Sequence, residues 1–211
     1  MSDPRTELVA HGYDEIADRF LDWRDRIVGD PRRQWLEELT SRLPAGARVL
    51  ELGCGSGIPD TRLLAERFEV TGIDISAEQT RRARTNVPTA DFVQADITDL
   101  TLEAGSCEAV VAVYSFNHIP RELLASVFAH VRSWLTPGGL FLASLGAGDT
   151  VGWTGRWLGT SMYFSSFEPE TNRRLLIEAG FELVLDELAT MHEPEPDGLA
   201  DASFHWILGR R

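Results

Sequence analysis

The chain has 211 residues, 43% hydrophobic and 25% charged, enough for one substantial core and one domain. Thirty-three acidic side chains against 20 basic ones leave a formal charge of -13, which repels phosphate backbones and argues against a nucleic-acid partner; every basic residue is Arg, so lysine nucleophile or Schiff-base chemistry is excluded. No run of about 18 apolar residues reads as a membrane span, Met1-Ser2-Asp3-Pro4 is acidic where a secretory signal would be basic and then apolar, and Cys54 and Cys107 lack disulfide-framework or metal-ligand spacing, so the expectation is a cytoplasmic protein with no membrane partner and no metal.

From about Pro4 to Arg42 the pattern is helical: Ile16, Phe20, Trp23 and Ile27 recur at three- and four-residue spacing, and Trp35, Leu36 and Leu39 follow Pro31. This predicts a helical cap over residues 1–43, with no strand. After Leu43-Pro44-Ala45-Gly46, short apolar runs alternate with helical stretches, as in a parallel sheet with crossover helices. Strands are expected near 47–52, 69–74, 91–95, 108–114, 139–145, 181–189 and 202–209, and helices at about 60–67, 77–86, 121–135 and 169–179. Ser76 with Gln79 three residues on resembles a capping box, and Thr136-Pro137-Gly138-Gly139 ends the helix before it. Met191–Asp201, rich in Pro, Asp and Glu, is too short for a helical crossover, so the last two strands are expected as an antiparallel hairpin. The fold class is therefore α/β: a Rossmann-like seven-stranded mixed sheet with a terminal antiparallel hairpin, helices on both faces and an N-terminal helical cap.

The strongest chemical signal is Val49-Leu50-Glu51-Leu52-Gly53-Cys54-Gly55-Ser56-Gly57, a buried strand entering a glycine-rich turn and then a helix. Glycines there permit positive φ and let a ligand touch the backbone at the carboxyl end of the first strand, where open α/β sheets bind cofactors; a tight turn with no ligand is the plain alternative. Ile58 stands where a dinucleotide fingerprint requires its third glycine, and no Gly-Lys-Ser/Thr follows, so nicotinamide and nucleoside triphosphates are disfavoured. Glu51 would repel a phosphate and attract a cationic amine. Asp74 ends the second strand, where a carboxylate can accept from a ribose diol. Asp96 and Ile97 follow the third, placed for an adenine edge and face.

Glu51-x-Gly53-x-Gly55-x-Gly57, Asp74, Ala95-Asp96-Ile97 and Leu135-Thr136-Pro137-Gly138-Gly139-x-Phe141 together resemble the class I S-adenosylmethionine-dependent methyltransferases of small-molecule type, over roughly residues 10–211. The resemblance implies S-adenosylmethionine as cofactor. It implies Glu51 at the methionine amine, Gly53 and Gly55 along the methionine portion, Asp74 at the ribose hydroxyls, and Asp96 with Ile97 flanking adenine; Cys54, Ile75, Val113 and Tyr114 complete the candidate set. His11-Gly12-Tyr13-Asp14-Glu15-Ile16-Ala17 is similar to the family's N-terminal lid, whose tyrosine often reaches the cofactor. Residues 44–145 are then the cofactor-binding core, 146–167 an acceptor-pocket insertion, and 168–211 the C-terminal helix and hairpin.

Methyl transfer from a sulfonium is an in-line displacement in which positioning can supply much of the acceleration. His118, just after the fourth strand, is the candidate base, since an imidazole titrates near 6.5; a loop-capping structural histidine is its alternative. Tyr114-Ser115-Phe116-Asn117 is not the Asp/Asn-Pro-Pro-aromatic run of amino-methylating DNA enzymes, which leaves a small-molecule methyl acceptor. Residues 146–167 exceed an ordinary loop of about 2 to 6 residues, and Trp153, Trp157, Tyr163 and Phe164 among five glycines suit a lid over that acceptor, with Trp23 of the cap closing the other side. The alternative is that these aromatics pack an auxiliary helix or a dimer contact, and monomer and homodimer both remain open. A non-catalytic cofactor-binding or sensor protein on the same fold is the second functional reading, to be separated from the first by whether these residues surround an open cavity.

Overall fold

Strand alternation divides the core into two layers. In β1 (Arg48–Leu52), Leu50 and Leu52 turn to one face of the sheet and Val49 and Glu51 to the other. β4 (Cys107–Ala112), β5 (Leu135–Gly146) and β9 (Gly198–Arg210) divide in the same way, with Val110, Phe141 and Ile207 against Ala109, Leu142 and Trp206. The first face packs on α5 (Leu124–Trp134) and α6 (Pro169–Glu178) through Phe128, Val131 and Leu176. The second packs on α2 (Arg32–Thr40) and α3 (Asp60–Ala65), where Trp35 stacks on Trp206 with ring centroids 5.5 Å apart. Side chains of this size, fully buried, contribute roughly 1.5–3 kcal/mol each.

This computed structural model describes residues 3–211; Met1 and Ser2 of the acidic N-terminal stretch lie outside it. With β2 (Glu69–Asp74), β3 (Asp91–Gln94) and β8 (Glu182–Glu195), the main sheet runs β3-β2-β1-β4-β5-β9-β8, and β9 alone runs against the other six strands. The order reverses between β1 and β4, and the crevice at the carboxyl ends of those strands is where open α/β sheets bind ligands. α4 (Ala77–Asn86) starts as the capping pattern predicts, with Ser76 Oγ accepting from the Gln79 N–H at 3.0 Å. No helix among the described residues is long and apolar enough to cross a membrane.

Three segments differ from the sequence expectation. The expected connection at 191–201 is strand almost throughout: β8 and β9 stay paired to Glu195 opposite Gly198. β8 is the edge of the sheet, which tolerates Pro194 because proline's missing donor costs no ladder bond on an open edge. Val28, in a region expected to hold no strand, forms an isolated bridge with His192, tying the end of the cap to this overlong hairpin. The 146–167 segment, expected as a loop, is a separate two-stranded antiparallel sheet of β6 (Thr150–Trp157) and β7 (Thr160–Ser166). Its β-branched and aromatic residues favour strands, while its five glycines obscure the alternation.

α1 (Pro4–Arg24) lies across that small sheet. Val9 and Ile16 pack on Met162 and Tyr163, and Gly12 eases the close approach, since a Cβ there would stand 2.7 Å from the terminal methyl of Met162 and 3.1 Å from the Ser161 carbonyl oxygen. α1 is also tied to α4: Asp14 Oδ1 accepts from Ser76 Oγ at 2.6 Å and from the Glu78 N–H at 2.9 Å. Helix and small sheet together roof the crevice.

Candidate active site

The turn after β1 needs backbone that only glycine supplies without strain. Gly53 has φ +79, and a Cβ there would stand 2.3 Å from that of Ser115. Gly55 has φ +52, and its N–H donates to Asp74 Oδ2 at 2.8 Å; the other carboxylate oxygen of Asp74 accepts from the Ser76 N–H at 2.9 Å. Asp74 thereby holds the glycine turn and the start of α4 while keeping lone pairs for a ligand.

Glu51, Gly53, Cys54, Gly55, Asp74, Ile75, Asp96, Ile97, Val113 and Tyr114, the candidate cofactor residues, all border one cavity of about 130 Å³ beneath α1. Its electrostatics are acidic. Glu51 is 3% exposed, points toward α3 by strand alternation and accepts from the Thr61 hydroxyl. Burial, followed by repulsion from Asp60, pushes its pKa up to about 8. Burial likewise raises Asp74 to about 6, against the hydrogen bonds from Ser76 and Gly55. Asp96 Oδ1 accepts from the backbone and hydroxyl of Thr98, both at 2.8 Å.

The same cavity contains residues the sequence did not single out. Arg32 pairs with Asp30 at 2.6 Å and reaches Asp60 at 3.5 Å, and its guanidinium lies 4.9 Å from the centre of the Tyr114 ring. Arg24 donates to the Ile58 carbonyl. Gln79, read from sequence only as a capping residue, is 1% exposed and borders the cavity with neither amide atom hydrogen-bonded. In a chain whose cations are all arginines, no spacing marks Arg24 or Arg32, and the capping pattern explains Gln79 without reference to a ligand.

A second cavity, of about 330 Å³, lies on the other side of a partition made by Tyr13, Phe20, Arg24, Arg32, Tyr114 and His118, which border both. His118 is buried in this wall. Its Nδ1 lies 2.9 Å from the Tyr163 carbonyl, which can only accept, so Nδ1 carries the proton and Nε2 accepts from the Tyr13 hydroxyl at 2.8 Å. Burial holds the imidazole down to about 4, and burial raises the Tyr13 phenol well above its usual range, so both are neutral around pH 7. Tyr114 has a φ of +54, strained for a non-glycine residue. Its backbone N–H donates to Ser144 Oγ and its hydroxyl to Asp30 Oδ1, both at 2.7 Å.

Trp23, Trp157 and Phe164 border the second cavity. Two candidate acceptor residues do not. Trp153, which alternation puts on the same face of β6 as Trp157, packs beside Phe164 at 5.7 Å but lies outside the cavity, 47% exposed, and Tyr163 is buried under α1 and touches the site through its carbonyl. The far wall, with Met191, Glu193 and Phe204, comes from the extended β8–β9 hairpin. Burial and the neighbouring Glu195 push Glu193 up to about 7.

The first cavity fits the cofactor implied by the resemblance. A Cβ at Gly55 would find only Gln79 Oε1, at 3.9 Å, leaving the turn open to a ligand, and the Gln79 amide at the cavity's border has no partner within the protein. Buried acids stand where an amine and a sulfonium would bring positive charge.

Residues 49–139 match the family model described as a methyltransferase domain. The chain is 34% identical over 161 residues, 66% of its length and 58% of that protein's, to a 27-O-demethylrifamycin SV methyltransferase of Amycolatopsis mediterranei. It is 46% identical over 84 residues, 36% of its length and 32% of that protein's, to a trans-aconitate 2-methyltransferase of Paracidovorax citrulli. It thus spans less than two thirds of either relative. The crystal structure of Burkholderia thailandensis 1,6-didemethyltoxoflavin-N1-methyltransferase, with 1,6-didemethyltoxoflavin and S-adenosylhomocysteine bound, superposes with a TM-score of 0.70 at 19% identity, covering 100% of this chain and 91% of that one, a likeness of fold. The glycine turn, the acids at the ends of β1 and β2 and the matched domain agree: residues 49–139 are a methyltransferase domain, and the chain is similar to the S-adenosylmethionine-dependent methyltransferases.

Proposed function

We propose that this protein transfers a methyl group from S-adenosylmethionine to a small-molecule acceptor by in-line displacement. The observation that carries the reading is the pair of cavities meeting at one partition: an acidic one at the glycine turn and an aromatic one under the roof, with Tyr13 and His118 between. An open second cavity speaks for transfer over a sensor. S-adenosylmethionine, when bound, supplies an electrophilic methyl on a cationic sulfonium.

The chain's residues bind, align and exclude water. Glu51 would meet the amine, Arg24 and Arg32 the carboxylate, Asp74 and Gln79 the ribose hydroxyls, and Asp96 with Ile97 the adenine. Residues 3–43 and 146–167 act as the roof that keeps solvent from the partition. His118 holds the Tyr13 phenol by accepting its proton in a hydrogen bond, leaving the phenol oxygen's lone pairs for an acceptor O–H or N–H. A proton leaving the acceptor can pass to Tyr13 as Tyr13 gives its own to Nε2. An imidazole held near 4 is a weak proton store, so alignment carries more of the acceleration than basicity does.

Titration calorimetry with S-adenosylmethionine, S-adenosylhomocysteine and NAD tests the reading. Both sulfur ligands should bind in the micromolar range, more weakly to Asp74→Ala, and NAD should not. Failure of both sulfur ligands to bind would overturn it.

A further inference from the structure

We propose that the second cavity takes a flat aromatic acceptor of one or two fused rings, neutral or cationic, carrying an N–H or O–H donor; the inference rests on the methyl-transfer reading above. Size is the first argument. At about 330 Å³ the cavity lies at the lower end of the ~300–1,000 Å³ of small-ligand pockets, which suits a compact acceptor.

The second argument is the walls. Trp157 stands edge-on to Trp23 at 5.2 Å and to Phe164 at 5.7 Å, and Phe164 lies 4.5 Å from His118, so the cavity presents ring faces and edges as far as the partition. Such surfaces favour a planar ring stacked or edge-on, and their negative faces repel carboxylates.

Charge is the third. The two cations at the cavity are taken: Arg24 donates to the Ile58 carbonyl and pairs with Asp25, Arg32 pairs with Asp30 and Asp60, and in the reading above the N–H groups they have left serve the cofactor's carboxylate. Glu193 faces the cavity, and the groups that act on it are its own burial and Glu195, with no arginine among them. A carboxylated acceptor would meet this acid with no free cation to balance it. Tyr13 borders the cavity, and its oxygen, having donated its proton to His118 Nε2, keeps lone pairs that suit a donor on the ligand. The structure thus sets this chain apart from an acceptor such as trans-aconitate, a tricarboxylate.

The test uses protein saturated with S-adenosylhomocysteine, its binding first verified by calorimetry, at pH 8, where Glu193 is mostly ionised. The probes are 2-naphthol, its anionic counterpart 2-naphthoate, and trans-aconitate, read by quenching of tryptophan fluorescence and by calorimetry. We expect 2-naphthol to bind about 10-fold or more tighter than 2-naphthoate, trans-aconitate not to bind, Trp157→Ala to weaken naphthol, and Glu193→Gln to narrow the gap between the two naphthyl ligands several-fold. Equal or tighter binding of either carboxylate, a gap unchanged in Glu193→Gln, or no naphthol binding to the loaded protein overturns the acceptor class and leaves methyl transfer standing. If S-adenosylhomocysteine itself does not bind, the methyl-transfer reading fails and this inference falls with it.

Discussion

Cofactor affinity should rise with pH through Glu51. Its carboxyl is pushed up to about 8 by burial and by the neighbouring acids Asp60 and Asp74, against the Thr61 hydroxyl and Arg32, so at pH 6 it is protonated. Pairing with an ammonium requires ionisation, which costs about 1.36 kcal/mol for each pH unit below 8. Affinity should therefore increase about tenfold from pH 6 to pH 7, with nearly one proton released. Titration calorimetry at both values, in buffers of low and high ionisation enthalpy, reads slope and proton together. S-adenosylhomocysteine, which keeps the amine and lacks the sulfonium, should show the same slope; a slope with S-adenosylmethionine alone would place Glu51 at the sulfonium. Glu51→Gln should bind weakly and keep only the shallow rise, about twofold from pH 6 to pH 7, that Asp74 near 6 contributes. Equal affinities at pH 6 and pH 7, with no buffer-dependent enthalpy, would refute the reasoning. In the free protein the folded state holds this proton more tightly than the unfolded chain, so stability is present below pH 4.5 and declines as pH rises to about 8.

His118→Ala should lower turnover about 10²-fold. At saturating cofactor, with an acceptor that does not itself titrate and Glu193→Gln in place to remove the acid near 7, kcat should be flat from about pH 6 to 9, because burial holds His118 near 4 and Tyr13 above its usual range; an inflection near 6.5 would indicate a solvated base instead. Gln79→Leu should weaken S-adenosylmethionine about 5-fold, one hydrogen bond's worth, while the thermal midpoint holds or rises because an unpaired buried amide is removed; a lower midpoint would make the amide structural. Asp14→Ala deprives Ser76 and Glu78 of a shared partner, at a cost of about 1 kcal/mol. Limited proteolysis should then cut earlier within α1, and cofactor affinity should fall.

The layers and the glycine turn were legible in the chain because each depends on local order. β1 and β5 alternate apolar residues between two faces, helices recur at their own period, and Gly53 and Gly55 stand where a strand turns into a helix. Glu51, Asp74 and Asp96 could be read because strand ends in such a sheet all open on one crevice. Partnership between distant segments could not. The Tyr13–His118 hydrogen bond joins residues 105 positions apart, and the imidazole's depressed pKa follows from burial by α1 and β7, which no local pattern encodes. The same holds for Arg24, Arg32 and Gln79, whose helical contexts read as surface or cap until packing turns them inward. Trp153 and Trp157 look alike in the sequence, and only the pairing of β6 with β7 and its seat under α1 exposes one and brings the other to the cavity. Composition and spacing determined the sheet, its crevice and the acids that open on it; packing across the chain determined which side chains share the partition, since burial and charge are properties of neighbours in space.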